Sequence, residues 1–244
     1  MLSQIGIHPE YVMHIGGFMV ANSLFTAVLV TLVILCFSLA ATKSLKGPFG
    51  TGFMQRWTET LFEPIWNFVR NVLEHDAVAR AVFPYIATFF IFIFTANFVE
   101  ILPFFLGSFG VEHEGHNVPL LRSPTTDLNT TLALALISVG ITQVFAIRFL
   151  GFKKYISKFL NFSSPVKLFL GLFEAIGEIS KVLSFSFRLF GNMFAGSVLL
   201  IVIGFLVPYL IPLPFMFLEL FVGLVQALIF TILTLMFIKA AIAH

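Results

Sequence analysis

Charge is scarce in this chain. Asp, Glu, Lys and Arg make up 11% of its 244 residues, against about 25% in a soluble domain. With 59% hydrophobic residues, this composition excludes a water-soluble globule. Cysteine is nearly missing: Cys36 stands alone in an apolar run, so no disulfide framework or thiolate metal site is expected. His8, His14, His75, His113, His116 and His244 all lie outside the deep parts of the apolar runs, which excludes a bis-histidine haem site. A net charge of +2 gives no reason to expect nucleic acid as a partner. There is no phosphate loop and no dinucleotide-type glycine pattern, so the chain does not handle ATP by itself and no cofactor is expected. An arginine-rich helix of the voltage-sensing kind is missing as well. No apolar segment has an interrupted twin in a second half, which argues against an inverted-repeat transporter.

What the chain has instead is long apolar runs, and about 20 such residues cross a bilayer core. The runs predict an all-α polytopic membrane protein with about five membrane-embedded helices. The first covers Phe18 to Ala41. It is too long for a signal-peptide core and no basic stretch precedes it, so no cleavable leader is expected. The second covers Ala81 to Leu106 and the third Leu128 to Ile147, with Asp127 as its N-cap. Ser164 and Pro165 read as the N-cap and first residue of a fourth helix, which meets no strong breaker before Pro208. The last runs from about Phe215 to Ala243. Both of the last two are long for upright spans and are expected to be steeply tilted. Between the first and second spans, Thr51 to Arg80 mixes Arg56, Glu59, Glu63, Arg70, Glu74 and Asp76 with Trp57, Phe62, Trp66 and Phe68. That mixture predicts an amphipathic helix lying along the interface.

The basic residues mark one side of the membrane. Lys43, Lys46, Arg56, Arg148, Lys153, Lys154, Lys158, Lys167 and Lys239 fall together, and the loop with Glu112, His113, Glu114 and His116 falls opposite. The positive-inside rule makes the basic side cytoplasmic or its organellar equivalent. The N-terminus is then outside and the C-terminus inside. The acidic loop reads as solvated rather than metal-binding.

Arg188 is the informative residue. It lies in SFSFRLFGNMFAGSVLLIVIGFL, and a guanidinium does not shed its proton in a protein. An intramembrane charge is costly and marks a functional site. Residues three or four apart share a helix face. Ser184, Arg188 and Asn192 therefore line up, extended by Gly177 and Lys181 on one side and by Gly191 and Ala195 on the other. The last helix carries a matching stripe of Glu219, Gly223 and Gln226. A short proline turn makes the two helices antiparallel neighbours, with Arg188 and Glu219 free to occupy different depths. The alternatives are structural: an Arg–Glu pair that fixes packing, and a Gln226 that only bonds across a helix interface. Glu178 and Lys181 read as an i, i+3 pair, and Asp127 as a cap before a proton carrier.

The motifs SFRLFGNMFAG and FVGLVQALIFTILTLMFI resemble subunit a of the F-type ATP synthase membrane sector, as do NFVEILPF and PTTDLNTTLALAL upstream. The resemblance runs from about Ala81 to the C-terminus. It implies a proton-translocating stator subunit, not catalytic alone, with two offset aqueous half-channels facing a rotating ring of c subunits. Arg188 matches the family's arginine, and Asn192 and Gln226 match its amides. The position nine after the arginine, often ionisable in relatives, is Ser197 here. The position seven before Gln226, often His, is Glu219, so the carboxylate sits on the last helix. The implied outer path uses Glu219, Gln226 and Asn192 with Asp127 and Glu100, and the implied inner exit lies near Ser184 and Lys181. Implied partners are the c-ring, peripheral-stalk b subunits, the lipid bilayer and protons, with Na+ left open. The expected division is residues 1–50 as the N-terminal span and flanks, 51–80 as the interfacial helix and 81–244 as the ion-translocating domain facing the ring. A bacterial inner membrane is the expected location, with mitochondrial and thylakoid membranes open. The competing readings are a standalone secondary transporter with an Arg–Glu gate and a purely structural assembly subunit.

Overall fold

The computed structural model describes residues 11–15, 18–44, 52–106, 110–113, 116–119, 122–159, 165–207 and 210–242. The chain is an all-α polytopic membrane protein. Helices α1 (Asn22–Ser44), α2 (Phe53–Leu73), α3 (Asp76–Leu106), α4 (Leu128–Leu150), α5 (Phe152–Phe159), α6 (Pro165–Leu206) and α7 (Pro212–Ile242) follow one another. Five of them, α1, α3, α4, α6 and α7, are long and apolar enough to cross a membrane. Two short antiparallel hairpins precede α1 and α4: β1 (Tyr11–Ile15) with β2 (Phe18–Ala21), and β3 (Gly110–His113) with β4 (His116–Pro119). Side chains of the acidic loop from Glu112 to His116 lie outside the described residues.

Several boundaries differ from the sequence expectation. The first helix starts at Asn22 rather than Phe18, because residues 18–21 pair with β1. The stretch from Thr51 to Arg80 is not one helix. It stops at Leu73, where Glu74 takes a left-handed φ of 61° and its N–H closes on the Arg70 carbonyl at 3.0 Å. α3 begins two residues later, with Asp76 in its first turn. An acid there suits the positive end of the helix dipole. Asp76 also accepts from Arg70 at 2.7 Å across the corner. The basic connector after α4 holds an unforeseen helix, α5. Gly151, at φ 85°, allows the sharp exit from α4, and the lysines then fall on the outer side of an eight-residue amphipathic turn.

Helix α2 shows why aromatics and charges alternate there. Val69 and Leu73 are buried against Val82, Ile86, Phe145, Leu235 and Ile238, with Trp66 edge-on to Phe83 at 5.4 Å. Trp57, Leu61 and Phe68 stay exposed beside Arg56, Glu59 and Arg70, a division suited to a membrane interface. Lys239 in the last turn of α7 reaches Glu74 at 2.8 Å. The α2–α3 corner, the end of α7, the α4–α5 junction and the start of α6 therefore share the basic side.

The membrane core is built from α3, α4, α6 and α7. Phe89, Ile93, Ala135, Phe185, Leu189, Met193, Ala227 and Phe230 form its centre. At about 1.5 Å per residue, the 42 residues of α6 and the 31 of α7 both exceed a hydrocarbon core of about 30 Å. Neither stands upright within it over its full length.

Candidate functional site

The antiparallel contact of α6 with α7 sets the depths of the polar residues. Gly196 faces Glu219: a Cβ added at the glycine would lie 2.6 Å from Glu219 Oε1. Phe185 faces Phe230, with ring centroids 4.9 Å apart. Lys181 sits over the Phe237 ring at 4.8 Å. This register brings Arg188 level with Gln226. Glu219 is eight residues of α6 further out, or about 12 Å at the helical rise. Arg188 and Glu219 do not pair, and they lie at different depths along the α6–α7 contact.

Ser184, Arg188, Gly191, Asn192 and Ala195 are all exposed, so the polar stripe of α6 faces away from the rest of the chain. Around it Leu183, Phe187 and Leu199 are exposed too. Arg188 donates from Nη2 to Ser184 Oγ at 3.2 Å, and no carboxylate of the described residues forms an ion pair with it. An unpaired guanidinium on an apolar face is costly in lipid. The face is therefore built to meet something outside this chain.

The α7 stripe points the other way. Glu219 is 5% exposed and Gln226 7%, and neither Glu219 oxygen has a hydrogen-bond partner among the described residues. Small residues make the room. Gly196 admits the carboxylate, and Gly223 admits Asn97, whose Cβ would lie 2.9 Å from a Cβ on that glycine. Asn97 Nδ2 donates to the Gly223 carbonyl at 2.9 Å. Its Oδ1 accepts from Thr125 Oγ1 at 2.7 Å.

Thr125 belongs to a short 3-10 turn, Pro124–Thr126, that is wholly buried between α1, α3, α4 and α6. Ser123 donates to the Ala96 carbonyl at 3.1 Å and shares a 2.7 Å contact with Thr125. Asp127 caps α4 as expected, accepting from the Asn129 N–H at 3.0 Å. Its second oxygen accepts from Ser23 Oγ at 2.7 Å. Thr131 on α4 meets Ser186 on α6 at 3.2 Å. The half of the bundle away from the basic side thus holds a buried polar cluster drawn from every spanning helix. Composition marked Glu219, Gln226 and Asp127. Asn97, Ser23 and the hydroxyls of 123–126 were missed as a group, though four consecutive small polar or proline residues before a cap were the available signal. The Glu100 side chain lies outside the described residues. Ser197 is half-buried and donates to the Met193 carbonyl at 3.0 Å.

A second polar cluster lies on the basic side. Gln143 Nε2 donates to Glu178 Oε2 at 2.6 Å, and Tyr155 O–H donates to Gln143 Oε1 at 2.9 Å. Lys181 Nζ pairs with Glu178 Oε1 at 2.7 Å, the i, i+3 pair the sequence predicts. Lys158 pairs with Glu174 at 2.7 Å. Between the two clusters stand Phe89, Phe185, Phe230 and Phe237, in contact at 4.9 to 5.5 Å between centroids. Among the described residues no group of three metal-type ligands comes together.

Known proteins resemble this chain along nearly its whole length. A family model described as ATP synthase A chain matches residues 23–239. The ATP synthase subunit a of Syntrophobacter fumaroxidans is 36% identical over all of this chain and 95% of its own length. That of Moorella thermoacetica is 30% identical over 95% of both. That of Campylobacter jejuni subsp. jejuni is 36% identical over 87% of this chain and 86% of its own. A family match across nearly the whole length, with relatives 30–36% identical over most of both chains, leads to one assignment: this chain belongs to the ATP synthase A chain family.

Proposed function

We propose that this chain works as the proton-translocating stator subunit of an F-type ATP synthase, with Arg188 separating an outer from an inner aqueous path. It is a multi-pass membrane protein and carries no bond-making active site of its own. The c-ring and the other subunits of the complex are its partners, the b subunits of the peripheral stalk among them.

The observation that carries the residue assignment is the exposure of Arg188 without a carboxylate partner among the described residues. A permanent positive charge stabilises the ionised form of any carboxylate brought beside it. A ring carboxylate arriving at Arg188 would therefore release its proton, and no proton would pass the arginine directly. Ser184 orients the guanidinium. Asn192, one turn further out, marks where the ring carboxylate takes its next proton. The outer path runs through Asp127, Asn97, Glu219 and Gln226. Asp127 serves there as an acceptor, since its two oxygens already hold a helix cap and Ser23. Glu219, with neither oxygen bonded among the described residues, exchanges the proton. The inner path leaves past Ser184 toward the basic side. The aromatic layer around Phe185 and Phe230 keeps the two paths apart inside this chain. A standalone transporter gated by an Arg–Glu pair is disfavoured, because Arg188 and Glu219 sit about 12 Å apart along the helix.

The deciding experiment is ATP-driven proton pumping in vesicles that hold the assembled complex, comparing Arg188→Ala with wild type. Immunoblots confirm that ring and stator are both present. Loss of pumping with assembly intact supports the role given to Arg188. Pumping near the wild-type level would make Arg188 a packing residue and remove the core of the mechanism.

A further inference from the structure

Two cations, not one, lie on the membrane half of α6. Lys181 is seven residues before Arg188, two turns along the same stripe and about 10 Å away by helical rise. The two are treated differently. Among the described residues Arg188 bonds a serine hydroxyl and no carboxylate, whereas Lys181 is paired with Glu178 at 2.7 Å and covers the Phe237 ring.

The Glu178 carboxylate is not left to chance. Its other oxygen takes the Gln143 amide at 2.6 Å. An amide side chain can present either end, and here the Tyr155 hydroxyl, donating to Oε1, turns the NH2 end toward Glu178. Burial, and then the Glu178 charge, push the Tyr155 hydroxyl above its ordinary range, so it remains a donor. Three helices, α4, α5 and α6, thus converge to hold one carboxylate against one lysine.

We propose that Glu178, aimed by Gln143 and Tyr155, cancels the charge of Lys181 so that Arg188 is the single unpaired cation a moving carboxylate meets on this part of α6. The inference rests on the reading that the α6 stripe faces the ring. Without the pairing, Lys181 would offer a passing carboxylate a second resting place two turns from the first. Charges at such distances still interact appreciably in a medium poorer in water than bulk. A carboxylate held there would have to be pulled free in every step, and rotation would slow. Glu178, Gln143 and Tyr155 are then positioning residues that act through Lys181.

The test varies the net charge of the pair in the assembled complex and reads ATP-driven proton pumping. Glu178→Gln leaves one uncancelled positive charge and is expected to slow pumping about tenfold. Glu178→Lys leaves two and should slow it further. Two neutral doubles, Glu178→Gln with Lys181→Gln and the swap Glu178→Lys with Lys181→Glu, should recover most of the loss. A structural role would follow side-chain shape and hydrogen bonding, and the swap would then be no better than the single changes. A proton-carrying role for Glu178 would leave the Gln–Gln double as slow as Glu178→Gln. Either result overturns the proposal, as does wild-type pumping in Glu178→Gln. If Glu178→Gln fails to assemble, assembly and pumping in both neutral doubles still support the idea, and failure of both overturns it. Arg188→Ala run alongside keeps the questions apart: if it pumps, the role given to Arg188 falls; if it does not and the doubles stay slow, only the charge-cancelling role falls.

Discussion

Gly196 and Glu219 stand face to face across the α6–α7 contact, so close that a single methyl group on the glycine would lie 2.6 Å from a carboxylate oxygen. The glycine is thus part of the carboxylate's pocket. A helix interior normally disfavours glycine by about 1 kcal/mol against alanine. Gly196→Ala should therefore favour the helix while displacing Glu219. Its expected signature is intact assembly with proton conduction lowered about ten- to a hundredfold, the scale of an ångström-sized misplacement. Passive proton flux through membranes stripped of the catalytic head measures it. Unchanged flux would mean that Glu219 has room to spare.

Glu219 itself should show opposite effects on stability and transport. A buried carboxylate with no hydrogen-bond partner among the described residues is a costly group, so Glu219→Leu should leave the thermal stability of the solubilised complex equal or higher. The same change should lower pumping at least about tenfold, because a proton-exchanging group is gone. A fall in both together would point to a packing role.

Asp127 divides in a similar way. Asp127→Asn keeps its carbonyl oxygen as the acceptor for the α4 cap and turns its NH2 to Ser23, whose hydroxyl can accept as well as donate, and pumping is expected to stay within about twofold of wild type, since Asn caps about as well as Asp. Asp127→Ala loses both contacts and should cost about 1 kcal/mol or more of stability. Denaturant unfolding of the purified subunit complex, read beside pumping, checks the pair. Collapse of pumping in Asp127→Asn would make the residue a proton carrier.

Asn97→Leu removes the clamp between α3 and α7 and leaves the Gly223 carbonyl without its side-chain donor. The expected loss is about 1–2 kcal/mol, small because hydrogen bonds within a bilayer contribute modestly. Transport should fall more than stability does, since Asn97 also fixes Thr125 inside the outer cluster. Thermal unfolding of the solubilised complex, set beside passive proton flux, checks it, and equal loss in both would reduce Asn97 to a packing residue.

The Glu74–Lys239 pair gives a pH signature outside the membrane. The hydrogen bond from Lys239, and then its charge, hold the Glu74 carboxyl below its ordinary value. A depressed native value means that the pair contributes fully above the unfolded range and is lost as pH falls through the native one. Acidification below about pH 4, the ordinary glutamate range, should therefore loosen the α2–α7 contact in wild type. Lys239→Gln should lack that component. Thermal unfolding scans across the acidic range test it, and the effect will be small because the pair is exposed.

The spanning helices were legible because bilayer thickness imposes a length on apolar runs. Pro165, Asp127 and the Arg188 stripe were legible because caps and helical spacing are local. The residues that escaped depend on neighbours distant in sequence. Gly196 gains meaning only from Glu219 on the next helix, and Gln143 only from Tyr155 and Glu178. The break at Glu74 was hidden because amphipathic and spanning helices are both rich in aromatics, so composition does not change sharply where one turns into the other. The start of α1 was hidden because an apolar run reads alike as strand or helix until its partner strand is known.

The phenylalanine layer between the two polar clusters has an electrical consequence. Hydrocarbon and aromatic rings sustain a potential difference, whereas polar and hydrated regions short it out. On the proposed function, with water following the polar groups in from both faces, the membrane voltage would fall mainly across the few residues around Phe185 and Phe230. A charge then needs to move only a short way past Arg188 to traverse most of the field, worth about 2.3 kcal/mol per 100 mV for a full crossing. The bundle would then concentrate a potential spread over a bilayer onto one level of one helix, close to where Arg188 is placed.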